Sequence, residues 1–155
     1  MKKGVFAVIA LIAILLSVVQ GGPLFYPPLE VTAPEQTLEW RTLQLKGQAI
    51  YVSVADTEET RRQGLSGHPG LAADEGMLFV FPKDGEYAFW MKDMRFSIDI
   101  LWLSSNGSIV YMAQNVSPDT YPHDFVPAKS ARYVLELPAG YAVAHGIVLG
   151  DIVRL

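Results

Sequence analysis

From Leu43 onward the apolar residues come in short runs, each closed by glycine, proline or asparagine, and this spacing limits the chain to a fold built from strands. Ala49–Ala55, Met77–Phe81, Tyr87–Met91, Ser97–Leu103, Ser108–Ala113, Arg132–Leu137 and Asp151–Leu155 are each the length of a strand and rich in β-branched or aromatic residues. Pro82 closes the second run, and Lys83-Asp84-Gly85 reads as a turn. Asn106-Gly107 is a two-residue type I′ hairpin signal, so the runs on either side of it pair antiparallel. One helix interrupts the pattern, from Asp56 to Gly64: Asp56 is placed to cap it, with Glu59 completing a capping box and Gly64 ending it. Short strands separated by turn signals predict an all-β domain with one short helix, a compact β-sandwich or barrel.

The chain of 155 residues has room for one such domain. Its start has a different character. Met1-Lys2-Lys3 is positive, and Gly4 to Val19 is apolar apart from Ser17. This predicts an N-terminal hydrophobic helix over residues 1–22, acting as a signal peptide or as a membrane anchor. The two lysines favour a cytoplasmic N-terminus with the domain outside. Residues 23–42 contain Pro23, Pro27, Pro28 and Pro34 and read as a connector, which leaves residues 43–155 as the folded domain. Without Lys2 and Lys3, ten basic residues face sixteen acidic ones, a net charge of −6. Such a surface repels nucleic acid. There is no cysteine, so an exported domain must hold without disulfides, and a lipid-modified cysteine is excluded.

Polar residues inside the apolar runs mark the candidate site. Strand alternation puts Asp99 on the face of Leu101 and Leu103, and Glu136 on the face of Val134. A buried carboxylate needs a cation or several N–H partners, and Arg61, Lys92, Arg95 and Arg132 are the cations at hand. Two roles fit these acids. One is an internal ion pair, or a carboxylate capping loop amides and so fixing sheet register. The other is the floor of a polar pocket with aromatic walls. Trp90, Trp102, Tyr87, Tyr111 and Tyr121 suit a sugar-stacking platform, although aromatics at this spacing also build cores. Arg61, at the end of the helix, is expected to pair with Asp99 or Glu136.

Other chemistries have less support. The chain has no thiol, no G-x-S-x-G elbow, no glycine-rich phosphate cradle and no paired histidine motif. His68, His123 and His145 lie in separate expected loops and would have to converge, with Asp119 or Asp124, to hold a metal. No cofactor and no metal site is expected.

Taken in order, Thr57 to Leu65, Gly76-Met77-Leu78-Phe79, Phe89-Trp90-Met91-Lys92, Ile98-Asp99-Ile100, Tyr133 to Gly140 and Gly150-Asp151 resemble the DUF192 family (also called UPF0127), small bacterial and archaeal domains that are often exported. The likeness runs from about Leu45 to Val153. It implies a jelly-roll-like β-sandwich or barrel with a short helix and long loops, and it implies no established activity. Its matching polar positions are Arg61, Trp90, Lys92, Asp99, Glu136 and Asp151. The chain departs from the family pattern at Ser66, His68, Asp93-Met94 and Ser97-Ile98. The resulting expectation is an exported or membrane-tethered, monomeric, non-catalytic binding module of the cell envelope. Its ligand is an unidentified small molecule or envelope component, and Arg61, Trp90, Lys92, Asp99 and Glu136 form the polar cluster that either binds a small ligand or locks the fold. Membrane contact would run through residues 4–22 if they are not cleaved. The competing expectation is a polysaccharide hydrolase using Asp99 and Glu136 as its carboxylate pair.

Overall fold

All six side chains of Ile98–Leu103 are buried, so this strand has the core on both of its faces and must lie inside a sheet. A computed structural model of the chain describes residues 38–155. The expected hydrophobic helix of residues 1–22 and the connector up to residue 37 lie outside the described residues. Among the described residues, no helix is long and apolar enough to cross a membrane.

The elements run β1 (Glu39–Leu45), β2 (Gln48–Ala55), α1 (Glu58–Gln63), β3 (Glu75–Gly85), β4 (Ile98–Leu103), β5 (Ile109–Val116), a 3-10 turn (Pro118–Thr120), β6 (Ala131–Pro138), α2 (Tyr141–Ala144) and β7 (Val153–Arg154). The domain is all-β in its framework. Its strands form one sheet in the order β5-β4-β6-β3-β2-β1-β7. Only β2 and β3 pair in parallel, and α1 lies in the crossover that such a pair requires. The sheet curls into a half-barrel. At one end Ile109 N–H bonds to the Asp151 carbonyl and Val153 N–H to the Gly107 carbonyl, bringing the two ends of the strand order together. A Cβ at Gly107 would collide with the Val153 carbonyl, so this closure requires glycine there.

Several local expectations change. Strand β1 begins at Glu39, ahead of the boundary expected at residue 43. The type I′ turn falls at Lys46-Gly47, both at positive φ (50° and 81°), between Leu45 and its partner Gln48. In the expected hairpin only Gly107 has positive φ, and Asn106 instead accepts from Ser108 N–H through its side chain. Strand β3 runs through Pro82 to Gly85, because its pairing with β6 is irregular between Val80 and Gly85 and no ladder N–H is demanded of the proline. The Tyr87–Met91 run is not a strand, and a single bridge joins Phe89 to Phe125. Thr57, not Asp56, caps α1, and it exchanges bonds with Thr60 rather than with Glu59. The four-residue helix α2 was not foreseen.

The two faces of the sheet bury separate sets of side chains. One gathers Leu43, Leu45, Ile50, Val52, Leu78, Leu101, Leu103, Leu135 and Leu137, closed over by Tyr141, Ala142 and Ile147 from the α2 region. The other gathers Met77, Phe79, Ile98, Ile100, Trp102 and Val134 with Leu65 and Met91. Asp99 belongs to the first face and is fully buried. Its carboxylate accepts Asn115 N–H at 2.8 Å and Gly140 N–H at 3.1 Å on Oδ1, and Ala142 N–H at 2.8 Å on Oδ2. Asn115 (φ 50°) sits where the β4–β5 register shifts, and Gly140 (φ 81°) precedes α2, so neither N–H is spent on a regular ladder. Asp99 therefore caps loop amides and makes no ion pair; its expected pairing with Arg61 does not occur.

Replacing Asp99 by Asn keeps the size but turns an N–H donor toward backbone donors. Asp99→Asn is expected to cost about 2–4 kcal/mol of stability, since hydrogen bonds to a charged acceptor are lost and buried donors are left unpaired. Urea unfolding at neutral pH measures it, and a change below about 0.5 kcal/mol, the range of an inconsequential surface substitution, would contradict this role.

Candidate functional site

The second buried acid is in the opposite situation. Glu136 lies on β6, opposite Met77 of β3 and Ile100 of β4, and its residue is only 5% exposed. Among the described residues, no side-chain or backbone donor reaches its Oε2. Burial alone pushes the carboxyl up from 4.5 to about 8, so it carries its proton at neutral pH.

The acid forms part of the lining of a cavity of about 350 Å³, at the small end of the roughly 300–1,000 Å³ usual for ligand sites. Three segments build the walls. The end of α1 and the turn after it bring Arg61, Gly64, Leu65 and Ser66; β3 brings Phe79 and Phe81; the segment after β3 brings Tyr87, Ala88, Phe89, Trp90 and Met94. The rings are packed against one another. Phe81 and Tyr87 stack at 3.5 Å between centroids, and Phe89 stands edge-on to Phe79 at 4.8 Å and to Trp102 at 5.8 Å. Although the Tyr87 segment is not a strand, it is pinned at defined points. Trp102 Nε1 donates to the Tyr87 carbonyl at 2.8 Å, and Phe89 and Phe125 exchange both backbone bonds. The Tyr87 hydroxyl donates to the Lys83 carbonyl at 2.7 Å, which leaves its ring facing the cavity.

Arg61 lines the same cavity without pairing to the acid. Its Nη1 donates to the carbonyls of Asp56 and Val80, the latter at 2.8 Å, and its guanidinium lies 5.3 Å from the Phe81 ring centre. It ties α1 to the end of β2 and the middle of β3. Trp90 stands 53% exposed at the rim, edge-on to Tyr121 at 5.9 Å. The Lys92 ammonium is 6.0 Å from the Trp90 ring, outside the cavity. The structure thus brings Arg61, Trp90 and Glu136 to one site, places Lys92 beside its rim and puts Asp99 on the other face of the sheet. Asp99 pairs with Leu137 and Glu136 with Ile100, so the two carboxylates project to opposite sides. They cannot act as a carboxylate pair on one bond, and the hydrolase expectation in that form is overturned.

The aromatic platform also divides. Trp102 is fully buried and packs on Tyr111, whereas Trp90 and Tyr121 are exposed. The expectation passed over Phe79 and Phe81 as site residues, yet alternation along Met77–Phe81 puts both on the Met77 face, which is the face of Glu136. Among the described residues, no three His, Asp or Glu side chains gather as metal ligands; His145 stacks on Tyr141 and His123 packs on Phe125.

Residues 41–155 match the model of DUF192, described as an uncharacterised ACR family, and the chain belongs to that family. The fold is shared with a protein from Sinorhizobium meliloti 1021 whose name provisionally calls it a transcription regulator. That protein is 29% identical with a TM-score of 0.73, over 77% of this chain and 96% of that one. A protein of unknown function from Novosphingobium aromaticivorans is 24% identical with a TM-score of 0.74, over 79% of this chain and 90% of that one. No curated protein matches the chain.

The raised pKa of Glu136 has a definite sign in stability. Below about pH 4.5 the carboxyl is neutral in both the folded and unfolded states. Between about 4.5 and 8 only the unfolded chain ionises, so this group lowers stability as pH rises, and the loss levels off above pH 8. Glu136→Gln is therefore expected to match the wild type near pH 4 and to exceed it by a few kcal/mol near pH 8. Urea unfolding of both proteins across this range checks it; parallel pH profiles would contradict it.

Proposed function

We propose that this domain is an exported or membrane-tethered, non-catalytic binding module of the cell envelope, which takes a small ligand into the Glu136 cavity. The observation that carries the reading is Glu136 Oε2, a buried polar atom with no partner, aimed into an aromatic-walled cavity. Such a group destabilises the folded chain, and a ligand donor would satisfy it. The other acid in the lining, Glu58, is tied to Arg62 at 2.6 Å on the exposed rim, and Asp99 is sealed on the far face. With Glu136 as the only acid among the described residues that reaches the cavity interior, binding is better supported than bond cleavage by paired carboxylates.

Placement outside the cytoplasm is supported by Lys2-Lys3 ahead of the apolar run from Gly4 to Val19. The regulator name of the S. meliloti relative points instead to nucleic acid. This chain favours it less: its net charge is −4, and the helices among the described residues have six and four residues, too short for a recognition helix in the major groove.

Two measurements test the proposal. A C-terminal alkaline phosphatase fusion, active only outside the cytoplasm, is expected to be active with the full chain and inactive after deletion of residues 1–22; activity lost in both would overturn export. In a thermal-shift screen of small molecules, any compound that stabilises the wild type is expected to lose its effect on Ala88→Trp. That variant fills the cavity from an exposed lining position. Stabilisation retained in the variant would place binding elsewhere.

A further inference from the structure

Resting on the binding role of the Glu136 cavity, we infer that it selects organic cations: a primary or secondary ammonium on an apolar body, its N–H groups given to Glu136 and its charge set among the rings of Phe79, Phe81, Tyr87, Phe89 and Trp90.

A purely apolar ligand would fill the cavity and leave Glu136 Oε2 unpaired in a drier environment than before. An anion could accept the Glu136 O–H, but the ring faces around it carry negative potential and repel its charge. The cations in the lining offer it little, since Arg61 donates to the Asp56 and Val80 carbonyls and Arg62 is held by Glu58. An ammonium supplies donors to the unpaired oxygen, and aromatic faces attract its charge by about 0.5–2 kcal/mol per well-placed ring. The packed ring walls and the single unsatisfied carboxyl are therefore complementary to the same group.

Binding of this class expels a proton. The groups facing Glu136 are few. From α1 come Glu58, Arg61 and Arg62, and from the segment after β3 comes Tyr87, whose hydroxyl is already bonded to the Lys83 carbonyl. From β3 and β4 the neighbours are apolar, Met77 and Ile100 being its paired residues. Glu136 is thus the group left to respond to the ligand. In the free protein it is a neutral acid, held so by burial up to about pH 8. When the ammonium enters, the carboxyl O–H proton leaves to solvent and the carboxylate and ammonium remain as a pair. No other bond changes.

Calorimetric titration of the full-length chain with phenethylamine, phenethyl alcohol and hydrocinnamate tests this. The three probes share one ring and differ in charge. Phenethylamine is expected to bind about tenfold more tightly per pH unit from about pH 6 to 8, flattening above, with proton release read from buffers of different ionisation enthalpy. The alcohol should bind more weakly and without pH dependence, and the carboxylate not measurably. Glu136→Gln should weaken phenethylamine by about tenfold or more near pH 8 and flatten its pH profile, and should change the alcohol's affinity by much less. If the alcohol or the carboxylate binds as tightly as the amine near pH 8, or if the variant leaves amine affinity intact, the cation class is overturned and the binding cavity stands. If none of the three binds, the cation proposal and the binding role fall together.

Discussion

Asp99 accepts three backbone N–H groups drawn from two separate places, Asn115 at the β5 irregularity and Gly140 and Ala142 at the start of α2. The consequence reaches beyond those two places. With Asp99 paired to Leu137, its neighbour Ile100 is paired to Glu136, and the pleat sends the two acids to opposite faces. A slip of one residue between β4 and β6 would bring both acids to one face, carrying either Glu136 to the leucine-rich face or Asp99 into the aromatic cavity. Asp99 resists that slip because its acceptors would then leave three N–H groups unpaired in the interior. The capping carboxylate on one face thus holds the cavity floor on the other.

The two acids answer the same physical problem in opposite ways. Asp99 remains buried as an acceptor because the backbone supplies donors at 2.8–3.1 Å. Glu136 has none and holds its proton instead, which is the usual resort of an isolated carboxylate taken out of water. A leucine at position 136 would cost the fold less than an unpaired acid does. Departures from local consistency of this kind concentrate at functional sites, which is why Glu136 and not Asp99 carries the functional reading.

Much of this was legible residue by residue. Strand alternation alone identified Asp99 and Glu136 as acids among core side chains, and the strand spacing with one short helix marked an all-β domain. What alternation could not supply was parity between strands. Whether two inward residues on β4 and β6 share a face depends on pairing register, which is a property of the sheet and not of either run. Hence the expected carboxylate pair dissolved. Arg61 misled for a related reason: an arginine at the end of a helix near buried acids looks like their counter-ion, but two backbone carbonyls satisfy it first. Tyr87–Met91 has the composition of a strand yet lacks a neighbour to complete a ladder, so it serves as a cavity wall pinned by Phe125 and Trp102.

That wall is where fold and site meet. Along this segment Tyr87 and Phe89 are half-buried and Ala88 and Trp90 exposed, yet all four residues contribute to the cavity lining. Its freedom from the ladder is limited by the backbone bonds at Phe89 and by Met91, which is fully buried beneath it. The result is a concave aromatic surface held by few contacts over a well-packed sheet. A segment with few backbone bonds opens at lower free energy than the strands beneath it. The remaining walls around Glu136 come from the end of α1 and from β3, so Tyr87–Met94 is the part of the lining outside regular strand and helix. The sheet keeps the acid in place, and this segment completes the walls around it.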